Sequence, residues 1–227
     1  MAIGGIVIMY VLLLLKNSLP LLLQGLYATL LLWISASIFS IIAGAIMGVL
    51  RSNALRIVYI SSLFDGITFV LRAVPFYVQL LIAYFVIPSL LHCNISAFCA
   101  AVISLGLCSA SYVSQIMRGG INAISVGQWE AAKVLGYSML DTVRFIIVPQ
   151  TLKIVLPALI GECDQLLKST SIVSAIGVLE LTGAGRNIIA QEMNPLTIYM
   201  VLAGMYLVMS AILAYCAVIV EKKMYKQ

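Results

Sequence analysis

The sequence predicts an all-α integral membrane protein of about five transmembrane helices, and three observations carry that expectation. Of its 227 residues, 63% are hydrophobic and 9% charged, with a mean hydropathy of +1.13, whereas soluble domains run at roughly 45–50% apolar and about 25% charged. Apolar runs of about 20 residues, the length that crosses a bilayer core, recur with short links between them. Lys and Arg gather at the ends of these runs, as the positive-inside rule expects. The net charge of +5 therefore belongs to membrane topology. No basic run alternates with aromatics, so a nucleic-acid partner is not expected.

In chain order, residues 1–20 form an N-terminal lead-in. Ala2–Leu15 is apolar but short for a span, and reads as an interfacial or partly inserted helix before Lys16 and Pro20. It lacks the basic start and small-residue cleavage site of a signal peptide. The membrane domain is expected over residues 21–221. Its first span is Leu21–Leu50, followed at once by Arg51 and Arg56, with Gly44 and Gly48 on one face where small residues permit close helix packing. Tyr59–Phe69 carries Ser61, Ser62, Asp65 and Gly66, and reads as a surface or lead-in helix. Pro75 suits the first turn of the second span, which ends near Pro88–Leu91. Gln79 then lies about a turn inside the membrane, where an unpaired amide is costly; helix–helix hydrogen bonding and substrate contact are both open to it.

Ser96–Met117 is the third span. The fourth follows Pro157 and carries Glu162, Asp164 and Lys168, charges that must face the bundle interior or a water-filled path. Asp164 and Lys168 are spaced to neutralise each other across one helical turn, which leaves Glu162 without an obvious partner. Thr182–Pro195 reads as a polar external loop, Leu196–Val220 as the fifth span, and residues 222–227 as a basic cytoplasmic tail. His92 is the only histidine and lies in a link, so no triad or metal site is expected. The cysteines Cys93, Cys99, Cys108, Cys163 and Cys216 form no CxxC pair and read as small buried apolar residues, with a bridge between Cys93 and Cys99 left open. No catalytic residue and no cofactor is expected.

Between spans three and four, about residues 119–157, runs the longest stretch that is not membrane-grade apolar. Glu130, Ala131 and Ala132 favour a slim helix that another protein can approach closely. Gly136 permits a sharp turn, Asp141 is a plausible cap for the next helical run, and Pro149 a stop. Of the thirteen Lys and Arg, Lys168 lies within a span, and Lys16 and Arg186 fall outside. The other ten gather inside if the N-terminus is external, which places this stretch in the cytoplasm.

The spacing Glu130-Ala131-Ala132, three residues, Gly136, nine residues, Ile146, one residue, Val148, Pro149 resembles the EAA loop of ABC importer permeases, with Val148 where that family usually has Leu. Other segments are similar to its polar amino-acid branch. Gln24–Leu30 matches a Gly-x-x-x-Thr-Leu opening. Arg72–Leu80 resembles Arg-Gly-Thr-Pro-x-x-x-Gln-Leu, with Ala73 and Val74 departing. Glu162–Ile172 matches Glu, Lys, Thr and Ser, while Gly161 replaces an Asn. Gln115 also stands where the branch usually has Glu, and Gly177–Leu181 is similar to Gly-x-x-Glu-Leu.

The resemblance implies a type I ABC importer permease fold in the bacterial cytoplasmic membrane. It implies two cytoplasmic ATPase subunits, a second permease chain and an external substrate-binding protein. Gly127, Glu130, Ala131, Ala132, Gly136 and Pro149 would form the coupling element, and Gln79, Glu162, Asp164, Lys168 and Ser171 the substrate pathway. No Gly-x-x-x-x-Gly-Lys-[Ser/Thr] loop occurs, so ATP is not bound here by that route. The acid at Glu162 points to a cationic amino acid, arginine, lysine or histidine. Glutamine or glutamate remains the alternative if Glu162 pairs with Arg72 or Lys168, and another small solute stays open because the loop alone is not substrate-specific. An ion-coupled carrier is the rival class; it predicts an internal repeat, which the chain does not show.

Overall fold

The computed structural model of the protein describes residues 2–56 and 58–225. The described residues are helical almost throughout, and their long apolar helices make four candidate spans, or five when one bent pair counts as a span. Composition predicted that architecture.

Helix α1, Ala2–Leu50, is one continuous helix with Pro20 inside it. Residues 2–20 of the expected lead-in are thus the first part of α1, Met1 lying outside the described residues, and the span-grade portion begins at Leu13. Proline removes one N–H from the ladder, but within a membrane bundle neighbouring groups can satisfy the freed carbonyl, so it need not end the helix. Leu14 and Leu22, on either side of Pro20, share one buried cluster.

Helices α2, Val58–Ala73, and α3, Phe76–Leu91, are bent by 104° at the break between them. The break falls at Pro75, whose φ of −56° and ψ of 135° start α3 in extended backbone. A π-helical turn over Ile82–Val86 precedes Pro88; a widened turn is a natural outcome where proline supplies no N–H. His92 closes α3 in the left-handed region at φ 49°.

Helix α4, Ala97–Asn122, starts at a Ser96 cap, whose hydroxyl oxygen accepts from the Cys99 N–H at 3.2 Å. It packs on α1 through glycines. A Cβ at Gly44 would lie 2.5 Å from Val113 Cβ, and one at Gly48 the same distance from Met117 Cβ. Leu32, Ala36, Leu80, Ala101, Leu105 and Leu166 join α1, α3, α4 and the fourth span in the main core.

The short helix α5, Val126–Val134, ends in a turn at Gly136, whose φ is +82°. Helix α6, Met139–Ile176, then runs unbroken into the membrane. Two sequence expectations change here. Ser138, not Asp141, caps α6, its hydroxyl oxygen accepting from the Asp141 N–H at 3.2 Å. Pro149 does not stop the helix: it follows a π-helical turn over Thr142–Ile147 and sits in the first turn of the regular segment, where a proline N–H is not needed.

Thr182–Pro195 is not the polar loop expected. It is mostly helix α7, Leu181–Glu192, with Leu181, Ala184 and Ile188 buried along one face. That face lies on α1, where a Cβ at Gly25 would come within 2.8 Å of Ala184 Cβ. The polar residues that suggested a loop occupy the opposite side. Helix α8, Pro195–Tyr225, closes the chain at the edge of the bundle.

Candidate functional site: an exposed coupling elbow and a membrane pocket

Helix α5 stands out from the bundle. Only Ala132 on it is buried, at 1% exposure, while Gly127, Glu130 and Ala131 are exposed. Val126, Val134, Leu135 and Leu140 expose large apolar surfaces on α5 and the elbow behind it. Trp129 and Ile146 anchor the elbow by packing against Ile121, Ile124 and Ile147. Behind α5 lies a cavity of about 710 Å³, whose walls include Asn53, Ile124, Trp129, Glu130, Lys133 and Tyr137. Gly136 and Pro149 mark the turn and the first regular turn of α6. All six residues expected to couple therefore fall on one elbow, which presents apolar surface outward on a well-anchored base.

A second cavity of about 350 Å³ lies among the spans. Phe76, Ser109, Tyr112, Glu162, Gln165 and Ser169 are among its walls. Glu162 is the one carboxylate there. The expectation that it lacks a partner is corrected: the Ser109 hydroxyl donates to its Oε1 at 2.7 Å. Neither Arg72 nor Lys168 pairs with it, since the Arg72 Nε–H donates to the Thr68 carbonyl and Lys168 Nζ lies 2.6 Å from Asp164 Oδ2. Ser109 was missed because its importance depends on a contact 53 residues away.

The other expected pathway residues do not line this cavity. Asp164 and Lys168 form the ion pair their spacing predicted. The Ser171 hydroxyl donates to the Lys168 carbonyl at 2.7 Å, one of several hydroxyl-to-carbonyl bonds where α6 tightens into a 3₁₀ turn over Thr170–Ile176. Gln79 Nε2 donates to both the Leu71 and Val74 carbonyls at 2.7 Å. Its amide thus closes the α2–α3 break, satisfying carbonyls that the end of α2 leaves without helical donors.

Cys93, Cys99 and Cys216, expected to be buried, are exposed, because they lie in a link and on outward helix faces. Two buried charged residues lie apart from the cavity. Arg51, 4% exposed, donates from Nη1 to the Ser114 hydroxyl at 2.8 Å and places Nη2 2.6 Å from Asp65 Oδ1. Removing the acid would strand a buried guanidinium, at about 3–5 kcal/mol. Glu180, fully buried, caps α7 by accepting the Thr182 and Gly183 N–H bonds at 2.8 Å each, and accepts from the Tyr206 hydroxyl at 3.2 Å. Its burial pushes the carboxyl above the ordinary value against these donors.

The fold and the exposed elbow fit a membrane-spanning subunit of an ABC importer, and the family match makes it a transport subunit whose ATP hydrolysis lies in separate chains. The chain belongs to the family of binding-protein-dependent transport system inner membrane components, whose model matches residues 40–226. It is 35% identical over 208 residues to the arginine transport system permease protein ArtQ of Bacillus subtilis strain 168, covering 91% of this chain and 94% of that one. It is 32% identical over 218 residues to the glutamine transport system permease protein GlnP of Escherichia coli K12, with the same two coverages. Among solved structures, an amino acid ABC transporter crystallised with histidines matches with a TM-score of 0.83 and 32% identity, over 92% of this chain and 96% of that one. The inward-facing MetNI methionine transporter shares the fold, with a TM-score of 0.77 at 18% identity. As a member of this family, the protein works in the inner membrane with ATPase and binding-protein partners.

Proposed function

We propose that this chain is the permease of an ATP-driven importer of polar amino acids with a preference for cationic ones. Its complex contains two permease chains, two cytoplasmic ATPase subunits and an external binding protein. The N-terminus lies outside and α5 lies in the cytoplasm, a reading supported by the ten basic residues that this orientation gathers on the α5 side. ATP-driven closure of the ATPase pair presses on α5, and the bundle switches between inward- and outward-open states. The exposed apolar elbow supports that docking.

The observation that carries the substrate preference is Glu162. It is the one acid in the membrane cavity, it is held by the neutral Ser109, and it pairs with no cationic side chain among the described residues. An ammonium or guanidinium would complete it. The names of the GlnP relatives favour a second reading, a neutral amide substrate. The test begins with mild-detergent capture of the tagged protein and of its Glu130→Arg variant. A P-loop ATPase recovered with the first and lost from the second supports the complex. The assembly is then reconstituted in vesicles with its binding protein. ATP-dependent uptake of labelled arginine in excess of glutamine supports the cationic reading; the reverse order overturns it.

A further inference from the structure

Helix α2 is attached to the bundle in an unusual way. None of its residues joins a buried apolar cluster among the described residues. Its two buried side chains are Ser61 and Thr68. Thr68 bonds the Phe64 carbonyl of its own helix at 2.8 Å, and only Ser61 reaches out, donating to the Leu50 carbonyl at 2.7 Å. Apolar residues such as Tyr59, Leu63 and Phe69 point away and are 89, 63 and 66% exposed. The remaining tie is ionic. Asp65 Oδ1 accepts from Arg51 Nε at 2.8 Å and lies 2.6 Å from its Nη2, while Arg118 Nη1 stands 3.6 Å from the same oxygen.

These two guanidinium groups come from different parts of the chain. Arg51 follows the end of α1 and is buried against Ser114. Arg118 sits in the last turns of α4, which leads through Ala123–Ser125 directly into α5. On its other side, α2 is joined to α3 by the Gln79 amide, which grips both carbonyls at the break, and α3 begins with Phe76 in the wall of the Glu162 cavity. A contiguous set of contacts thus runs from the elbow to the cavity through one carboxylate. Both Asp65 and Arg118 side chains are partly solvated, at 39 and 38% exposure, so a small shift of the end of α4 can tighten or loosen the Arg118 contact while Arg51, buried and held by Ser114, keeps its own bond to Asp65.

We propose that Asp65 is a positioning residue for transport: shared between Arg51 and Arg118, it passes movement of α5 through α4 and α2 to Phe76 at the cavity wall. This rests on the importer reading above. The informative variants are at Arg118, because Arg51 still holds Asp65 when Arg118 is lost and α2 keeps its place. In the complete assembly with ATPase and binding protein, Arg118→Gln is expected to lower uptake per ATP hydrolysed by about tenfold, the scale on which such contacts modulate coupling. Half-saturating substrate and the yield of co-purified ATPase should stay unchanged, and Arg118→Lys should recover most of the loss. Spin labels at Ser62→Cys and Asn187→Cys in a cysteine-free background follow α2 directly, whatever solute is carried. Their separation should change on ATP binding in the parent and stay fixed in Arg118→Gln. Uptake per ATP equal to the parent's, Arg118→Lys as impaired as Arg118→Gln, or label distances indifferent to ATP in the parent would each overturn the inference. Failure of the importer reading has a different signature: no solute moves in the parent, although its label distances still respond to ATP.

Discussion

Ser109 and Glu162 meet across the α4–α6 interface at 2.7 Å, so the carboxylate in the membrane cavity is oriented by a neutral donor rather than neutralised by a cation. A hydroxyl stabilises the charged form without cancelling its field. Glu162→Gln is therefore expected to keep assembly and lower the preference for arginine over glutamine by about tenfold, the equivalent of roughly 1.4 kcal/mol of differential binding. Ser109→Ala should move the same ratio in the same direction by less. Competition between labelled arginine and unlabelled glutamine in vesicle uptake measures both, and an unchanged ratio in Glu162→Gln would remove the charge argument.

The elbow makes a prediction about association alone. Val134 and Leu135 are 87 and 74% exposed on the same elbow as Glu130, so they pack little within the subunit. Replacing both with Ser should leave the permease's thermal unfolding in detergent unchanged and weaken co-purification of the ATPase. A fall in permease stability with normal recovery of the ATPase would mean that this surface serves the subunit's own fold.

The glycines divide into two kinds. A Cβ at Gly44 meets Val113 Cβ at 2.5 Å and the Ala110 carbonyl at 2.8 Å, whereas one at Gly66 meets nothing within 4 Å. Gly44→Val should cost about 1–3 kcal/mol through overpacking of the α1–α4 contact. Gly66→Ala should be neutral or stabilising by up to about 1 kcal/mol, through better helix propensity. Unfolding of the two variants in mixed micelles compares them directly.

Glu180 gives a pH dependence with a definite sign. Burial raises its carboxyl above the ordinary value of 4.5 in the folded protein. The stabilisation from protonating it in the folded state is fully present below that ordinary value and is lost as pH rises through the raised one. Glu180→Gln removes this titration. The melting temperature of the parent should fall relative to the variant as pH rises from the acid range, and parallel curves would show that the three donors around Glu180 already compensate its burial.

Composition and local spacing determined much of this protein. Apolar runs set the number of spans, since nothing but a helix or a closed barrel satisfies the backbone in lipid. The Glu130–Pro149 pattern located the elbow, and four-residue spacing located the Asp164–Lys168 pair, because both are local in sequence. Only the tertiary structure decided the rest. It joined Ser109 to Glu162, set Asp65 between Arg51 and Arg118, turned the Gln79 amide to the backbone at the break and made α7 a packed helix rather than a loop. A soluble helix announces its buried side by its polar face, but a helix that is apolar all round carries no such mark. Its rotation, and so which of its few polar atoms meet, is settled by close packing between helices, such as that of Gly44 and Gly48 on α4.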